Sequence, residues 1–228
     1  MKQIGILGGG VWGCALAKLL SKNQVKIFVR DEKVLNLINN QKIIPKLKYV
    51  TFNDNVKATL SIQDLGMVDF LFIALPSQNI REVLSKYSIE NKNLQIIIAS
   101  KGIEIESKLF LSEVVQNILN TNNINILSGP CFSQEVVQNL PTAVTLACKE
   151  QDIFNKINQI FDNKYFRLYF SDDLIGCQLG GAVKNIYAIA AGMSNGLNLG
   201  ENAKSSLITR SFAEISRLGA ALKVNSKT

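Results

Sequence analysis

Three glycines that follow the first apolar run constrain the fold of this chain more than any other feature. Residues 4–7 are apolar, and Gly8, Gly10 and Gly13 follow before Cys14 opens a stretch with apolar residues at helical spacing. Glycines at this spacing allow a sharp turn, a close approach of a pyrophosphate to the backbone and tight packing of the helix on the strand. The stretch predicts a strand–turn–helix unit that binds a dinucleotide at the helix N-terminus.

The residue after the second strand-like run favours NADP as the cofactor. Residues 25–29 close a βαβ unit, and Arg30 and Asp31 follow them. NAD-binding domains of this kind place an acid here to bind the ribose hydroxyls, whereas an arginine suits a 2′-phosphate. Asp31 still lies within reach of the ribose, so NAD stays open, and Arg30 has an alternative interpretation as a surface cation.

Strand-like and helix-like segments alternate along most of the chain, which indicates a parallel sheet with crossover helices. Further strands are predicted at 56–60, 68–75, 94–100, 124–127, 142–148 and 166–171, and helices at 33–40, 80–86, 109–119 and 153–161. A polar loop is predicted to run through Pro45. From about residue 173 the sequence is continuously helix-forming, with helices predicted to about residue 193 and at 203–222. We predict an α/β fold: a doubly wound Rossmann-like dinucleotide-binding domain at 1–172, then a short all-helical segment at 173–228 that begins a substrate domain.

Ligands of such a sheet bind outside the carboxyl ends of its strands. The residues that follow the predicted strands are glycines, prolines, small hydroxyls and two cations, at 8–13, 30, 76–77, 101–102 and 128–130. This edge is therefore expected to bind an anionic dinucleotide and an anionic substrate.

The first predicted helix after residue 172 carries a lysine on a face of small residues. Residues at spacings of three and four share one helix face, and here they are Cys177, Gly180, Gly181, Lys184, Ala188 and Ala191. A ligand can approach such a lysine closely. The alternative is that the small residues only allow tight helix packing, with Lys184 extended into solvent.

Composition excludes several kinds of chemistry. The chain has no histidine, which rules out a histidine general base and histidine metal ligands, and its four cysteines lack metal-ligand spacing, so no metal is expected. The net charge of +7 comes from dispersed lysines, which does not indicate nucleic-acid binding. We expect no signal peptide, no membrane insertion and a cytoplasmic location with reduced thiols.

A dehydrogenase without histidine needs another group to exchange the proton of the substrate hydroxyl. A lysine can do this when burial or neighbouring cations lower its pKa from the usual value of about 10.4. The candidates are Lys184, on its small-residue face, and Lys101, at a strand end.

Several motifs together resemble those of one family. They are the glycine turn, Ser100-Lys101-Gly102, Ser128-Gly129-Pro130, the string from Gln178 to Asn185, and the stretch at 203–221. The chain resembles the bacterial NAD(P)-dependent glycerol-3-phosphate dehydrogenases.

This resemblance implies hydride transfer between NAD(P)H and dihydroxyacetone phosphate, giving sn-glycerol 3-phosphate for phospholipid synthesis. It implies that Lys184 is the proton-transferring lysine and that Lys101 contacts both substrate and cofactor. The implied substrate contacts are Gly129, Cys131, Lys184 and Asn185, and the implied cofactor contacts include Val11, Trp12, Arg30 and Ser133.

This chain departs from the family pattern in three ways. Cys131 replaces a usual serine or threonine, Ser133 replaces a usual alanine, and family members continue beyond the point that matches Thr228, with an aspartate and an Arg-Asn pair that close the phosphate pocket. We therefore keep two alternatives: a protein that binds NADP(H) with little or no turnover, and a reductase of the 2-hydroxyacid or ketopantoate type. The uncovered faces of the terminal helices predict a homodimer.

Overall fold

The computed structural model describes residues 1–44, 47, 50–225 and 228, and eight strands form one sheet within them. The strands are β1 (Gln3–Leu7), β2 (Gln24–Phe28), β3 (Val56–Thr59), β4 (Phe70–Ile73), β5 (Gln95–Ile98), β6 (Ile124–Ser128), β7 (Thr142–Ala147) and β8 (Phe166–Ser171). Their order across the sheet is β3-β2-β1-β4-β5-β6-β7-β8. The helices are α1 (Val11–Leu19), α2 (Glu32–Asn39), α3 (Ile80–Leu84), α4 (Leu111–Leu119), α5 (Ser133–Val137), α6 (Gln151–Asn158), α7 (Leu174–Gly196) and α8 (Gly200–Ala221). The predicted doubly wound α/β fold with a following helical segment is confirmed.

The central strands are apolar throughout because helices cover both faces of the sheet. Successive side chains of a strand point to opposite faces, and Phe72 accordingly packs in one hydrophobic core while its neighbours Leu71 and Ile73 pack in another. All three side chains are fully buried. The two cores pack the helices against the two faces of the sheet, so the strand ends are where a site can form.

The glycine turn joins β1 to α1 by close backbone contact. Gly8 has a φ of +120°, a conformation that side-chain-bearing residues rarely adopt, and its carbonyl oxygen lies where a Cβ atom of Gly13 would stand. Around Gly10, in contrast, no atom lies within 4 Å of the position of a Cβ. Gly8 and Gly13 thus fix the turn, and Gly10 faces open space.

The expectation of a parallel sheet is wrong at one position. β7 pairs antiparallel with β6, with Ser128 opposite Thr145, and β8 runs parallel to β7. An antiparallel neighbour requires only a short connection, and the chain between β6 and β7 contains only the five-residue α5. Buried and more exposed side chains alternate along most of β7, and such an alternation does not indicate strand direction, so the sequence did not show the reversal.

Other differences are small. The sequence analysis missed α5, which is too short to show helical periodicity, and α1 begins at Val11 rather than at Cys14. The predicted loop through Pro45 falls partly outside the described residues. The division into domains at residue 172 stays a prediction.

The two long helices pack together and leave apolar side chains exposed. Asp173 caps α7 by accepting a hydrogen bond from the Gly176 amide at 2.8 Å. Among the described residues α7 is long and apolar enough to cross a membrane, which is weak support for insertion because core helices share these properties. Its first turns are buried on the sheet, whereas later side chains are exposed: Ile186, Ile189 and Met193.

The two glycines of the turn should respond differently to alanine. Gly13→Ala places a Cβ on the Gly8 carbonyl and should lower the free energy of unfolding by about 3 kcal/mol or more, because the backbone must move. Gly10→Ala should lower the free energy of unfolding by less than about 1 kcal/mol, since the new Cβ atom would lie in open space. Urea unfolding followed by circular dichroism measures both. Equal stabilities of the two variants would contradict this account of the turn.

Candidate active site

Two neighbouring cavities lie at the carboxyl edge of the sheet. The first, of about 390 Å³, is called the turn cavity and is lined by Gly10, Val11, Trp12, Ala74, Leu75, Pro76, Ala99, Ser100, Lys101, Cys131 and Ser133. The second, of about 250 Å³, is called the helix cavity and is lined by Ser128, Gly129, Pro130, Thr145, Gly176, Cys177, Gly180, Gly181, Lys184 and Thr228. The predicted gathering of strand ends at one edge has thus produced a two-part site.

The turn cavity has the features that a dinucleotide requires. Gly10 is the residue directly before α1, and it has no side chain to cap the helix. The first backbone amides of α1 therefore lack intrahelical partners at the end of the helix that borders the turn cavity. The open space at Gly10 is where a pyrophosphate would come close to the backbone. Trp12 is fixed at the cavity wall by a hydrogen bond from its indole nitrogen to the Ala99 carbonyl at 3.2 Å. The residues present therefore fit NAD(P).

Lys101 lies where the two cavities meet. Its ammonium nitrogen donates a hydrogen bond to the Gly129 carbonyl at 3.0 Å. Its methylene groups pass over Gly181 of α7, where a Cβ would stand 3.6 Å from the Lys101 Cγ. Burial lowers the pKa of Lys101 below its usual value; the Cys131 thiol opposes this shift, and repulsion by Lys184 adds to it.

Lys184 reaches the helix cavity from the opposite side. It is half-buried, and Gly180 and Gly181 line the same cavity, so the predicted small-residue face of α7 is the face that meets the sheet edge. Two lysines from different elements thus come close enough to repel each other electrostatically. Such a pair of cations is stabilised when an anion binds between them.

Cys131 borders the turn cavity beside both lysines. Its sulfur lies 3.6 Å from the Gly129 carbonyl oxygen, and the side chain is half-buried. Burial raises the pKa of the Cys131 thiol, and the positive charges of Lys101 and Lys184 partly offset that rise. At neutral pH the group is therefore a neutral, weak hydrogen-bond donor.

The structure brings most of the predicted site residues together. The turn cavity collects Gly10, Val11, Trp12, Lys101, Cys131 and Ser133, and the helix cavity collects Gly129 and Lys184. Gly8 and Gly13 belong to the glycine turn itself and are outside both cavity linings. Their individual roles stay predictions.

Two predicted site residues lie apart from the cavity walls. Arg30 is exposed just beyond β2, at the same edge of the sheet but outside the residues that line the turn cavity. Asn185 is exposed on α7 and outside both cavity linings, because it is one residue, about 100°, away from Lys184 on the helix.

The sequence analysis missed several residues that line the cavities. Thr145 lines the helix cavity because it pairs with Ser128 across the β6–β7 contact, and nothing in the sequence signals that antiparallel pairing. Ser100 lines the turn cavity, and its hydroxyl bridges the end of β4 by donating to the carbonyls of Ile73 and Leu75, at 3.1 and 2.6 Å. The sequence could have indicated Ser100 as a site residue, because it lies directly before Lys101 at the end of a predicted strand. Within the described part of the chain, no group of three or more acidic, cysteine or histidine side chains is placed to hold a metal ion.

A doubly wound sheet with a glycine turn, a cavity at the turn and a lysine-bearing helix beyond the sheet defines the class of NAD(P)-dependent dehydrogenases. The family model described as the NAD-dependent glycerol-3-phosphate dehydrogenase N-terminus matches residues 3–154, and the model of the corresponding C-terminus matches residues 173–228. The chain belongs to the NAD-dependent glycerol-3-phosphate dehydrogenase family, which confirms the resemblance.

Individual relatives agree with this assignment. A glycerol-3-phosphate dehydrogenase, NAD(P)+, of Zymomonas mobilis is 42% identical over 228 residues, and one of Erythrobacter litoralis is 37% identical over 232 residues. The crystal structure of glycerol-3-phosphate dehydrogenase from Coxiella burnetii superposes with a TM-score of 0.92 at 32% identity, covering 99% of this chain and 71% of that one. The match covers 99% of this chain but 66% of the Zymomonas protein and 69% of the Erythrobacter protein.

The cysteines should differ in reactivity. Burial raises the pKa of Cys14 and Cys148 to about 12 and that of Cys177 to about 11, and all three are buried, whereas Cys131 is partly open to the turn cavity. A chromogenic disulfide at about pH 8 should therefore titrate one thiol in the native protein and four after denaturation.

The Cys131→Ser variant identifies the reactive group. It should remove the single native thiol signal and leave three thiols in denaturant. A fast native thiol that survives this substitution would contradict the placement of Cys131 at the cavity.

Proposed function

We propose that this chain catalyses the NAD(P)H-dependent interconversion of dihydroxyacetone phosphate and sn-glycerol 3-phosphate. The observation that carries the proposal is the meeting of Lys101 and Lys184 beside the glycine turn. The printed names of the relatives support the same reaction. A cation pair next to a dinucleotide cavity suits a small substrate that carries both a phosphate and a carbonyl group.

The two lysines take different parts of this reaction. When the cofactor is bound, its nicotinamide supplies or accepts the hydride. The Lys184 ammonium group gives a proton to the carbonyl oxygen during reduction, and its neutral amine takes that proton back during oxidation. Lys101, held on the Gly129 carbonyl, places a second positive charge at the junction of the two cavities and binds the anionic groups there.

Turnover and binding are tested separately. NADPH oxidation should depend on dihydroxyacetone phosphate, and Lys184→Ala should lower kcat by about 100-fold to 10,000-fold because proton transfer is lost. Lys156→Ala, which removes an exposed lysine of α6, is the control and should leave the rate unchanged. NADPH binding, measured by fluorescence titration, should survive in both variants.

Two outcomes would overturn the proposed reaction. NADPH binding without any substrate-dependent oxidation would favour the binding protein without turnover. Oxidation with 2-ketoacids or ketopantoate, but not with dihydroxyacetone phosphate, would favour the other reductase class.

Arg30 supports NADP as the preferred cofactor, with NAD as the second. Its exposed guanidinium lies beyond β2, free to meet a 2′-phosphate. Arg30→Ala should weaken NADPH binding by about 10-fold to 150-fold, the equivalent of one charge-assisted hydrogen bond, and leave NADH binding nearly unchanged. Lys26→Ala, an exposed cation earlier on β2, is the control. Equal losses for the two cofactors would contradict recognition of the 2′-phosphate by Arg30.

We propose three further properties of the protein, which concern its product, its location and its oligomeric state. We infer that the product serves phospholipid synthesis, as the family resemblance implies. Four unpaired cysteines support a reducing, cytoplasmic location. The exposed apolar side chains of α7 and α8 support a homodimer, which light scattering tests: Ile186, Ile189, Met193, Ile208 and Phe212.

A further inference from the structure

The segment directly after Lys101 is folded back against the start of α3. Residues 102–110 form a small closed loop in which an isolated bridge pairs Ile103 with Phe110, and the Glu104 amide donates to the Leu109 carbonyl at 3.0 Å. Its first residue, Gly102, has a φ of +135°, and a Cβ there would stand 2.7 Å from the Ser77 hydroxyl. We call residues 102–110 the lysine loop.

A bidentate ion pair fixes the lysine loop to α3. The Arg81 Nε donates to one carboxylate oxygen of Glu104 at 2.9 Å, and its Nη2 donates to the other at 2.7 Å. The Ser107 hydroxyl donates to the same carboxylate from within the loop at 2.5 Å. The side chain of Glu104 is 6% exposed and that of Arg81 is 42% exposed. A carboxylate this buried needs its partner, because an unpaired buried charge is costly.

A second pair of contacts runs parallel to this ion pair. The Gln78 side chain donates to the Ile103 carbonyl at 2.9 Å and accepts from the Ile105 amide at 2.9 Å. Both sets of contacts join the lysine loop to the segment that follows β4. On the amino side of Lys101, Ser100 is tied to that same segment through the Ile73 and Leu75 carbonyls.

The backbone of Lys101 is therefore held from both sides by the end of β4. This matters because the Lys101 side chain extends along the sheet edge to the Gly129 carbonyl and passes beside Gly181 of α7. Cys131 after β6 and Lys184 on α7 are the titratable groups that face its ammonium. Since Lys184 repels it, we expect Lys101 to shift toward solvent in a variant that releases its backbone.

We propose that Arg81 and Glu104 are positioning residues that act through the lysine loop to hold Lys101 at the junction of the two cavities. Neither side chain lines a cavity of the site, so neither is a catalytic residue. The effect on turnover rests on the proposed function. The effect on the position of Lys101 does not, and it is measured independently.

The variants separate this role from ordinary stabilisation. Arg81→Met removes the ion pair and keeps the length of the side chain, whereas Arg81→Lys keeps the charge and loses the bidentate geometry. Glu82→Gln is the control, because it breaks the exposed pair between Glu82 of α3 and Lys86, which follows the helix, without touching the lysine loop. Gln78→Ala removes two hydrogen bonds to the lysine loop and leaves the Arg81–Glu104 ion pair intact. It replaces Arg81→Met in the test if Arg81→Met does not fold.

The readout is the environment of Lys101. Acetylation of its amine is followed over a range of pH by peptide mass spectrometry, which yields its pKa in each variant. Arg81→Met and Gln78→Ala should raise this pKa toward the ordinary lysine value because burial is lost, Arg81→Lys should restore part of the native value, and Glu82→Gln should match wild type. A folded Arg81→Met or Gln78→Ala protein in which Lys101 titrates as in wild type would overturn the proposal.

A kinetic measurement extends the test if the protein turns over dihydroxyacetone phosphate. Displacement of Lys101 should lower kcat/KM in Arg81→Met by up to about 100-fold, since misplacement of a binding group by about 1 Å has that effect. Unchanged kcat/KM in a folded Arg81→Met variant would also overturn the proposal. A wild-type protein without turnover would refute the proposed function alone, because the acetylation experiment needs no turnover.

Discussion

The close approach of α1 to β1 is the constraint on which the rest of the site depends. Gly13 lies against the Gly8 carbonyl, and Gly8 itself adopts a backbone conformation that suits glycine. With helix and strand this close, the N-terminus of α1 opens directly onto the carboxyl edge of the sheet. The turn cavity exists because no side chain fills that space at Gly10. A dinucleotide site is thus made largely of backbone, and the side chains around it refine what it binds.

The second half of the site depends on how the chain leaves the parallel part of the sheet. β7 runs antiparallel to β6 and pairs Thr145 with Ser128, and both residues line the helix cavity. α7 packs against this edge of the sheet at Gly181, where a Cβ atom would stand 2.9 Å from the Ser128 hydroxyl and the Lys101 side chain lies alongside. The helix is also tied to α4, since Gln178 accepts a hydrogen bond from the Ser112 amide at 2.9 Å and donates to the Ser112 hydroxyl. These contacts place Lys184 opposite Lys101.

The positive charges of Lys101 and Lys184 repel each other, so other contacts of the fold must hold the two side chains close together. Repulsion by Lys184 and burial both lower the pKa of Lys101, so this group binds a proton less tightly than an exposed lysine does. The Gly129 carbonyl accepts its hydrogen bond, and the lysine loop fixes its backbone. A bound anion would relieve the repulsion, which explains why such a pair suits a phosphorylated substrate. Cys131 contributes only a weak donor at a position where the family usually has a hydroxyl.

The sequence by itself determined the fold class, the dinucleotide turn and the two lysines. The glycine spacing, the alternation of apolar runs and helical patterns, and the small-residue face around Lys184 are local signals, because each reports the backbone conformation or packing of its own segment. The absence of histidine likewise limits the chemistry without any structure. Asn185 is exposed on α7 outside both cavity linings, and its contact with substrate stays a prediction.

Only the tertiary structure decided how these segments meet. The reversal of β7, the short helix α5 and the contact of Lys101 with Gly129 depend on residues far apart in the chain. The Arg81–Glu104 ion pair joins residues 23 positions apart, and neither residue type signals the other. Strand direction and side-chain pairing are settled by packing energy summed over both faces of the sheet, and a local pattern does not contain that sum.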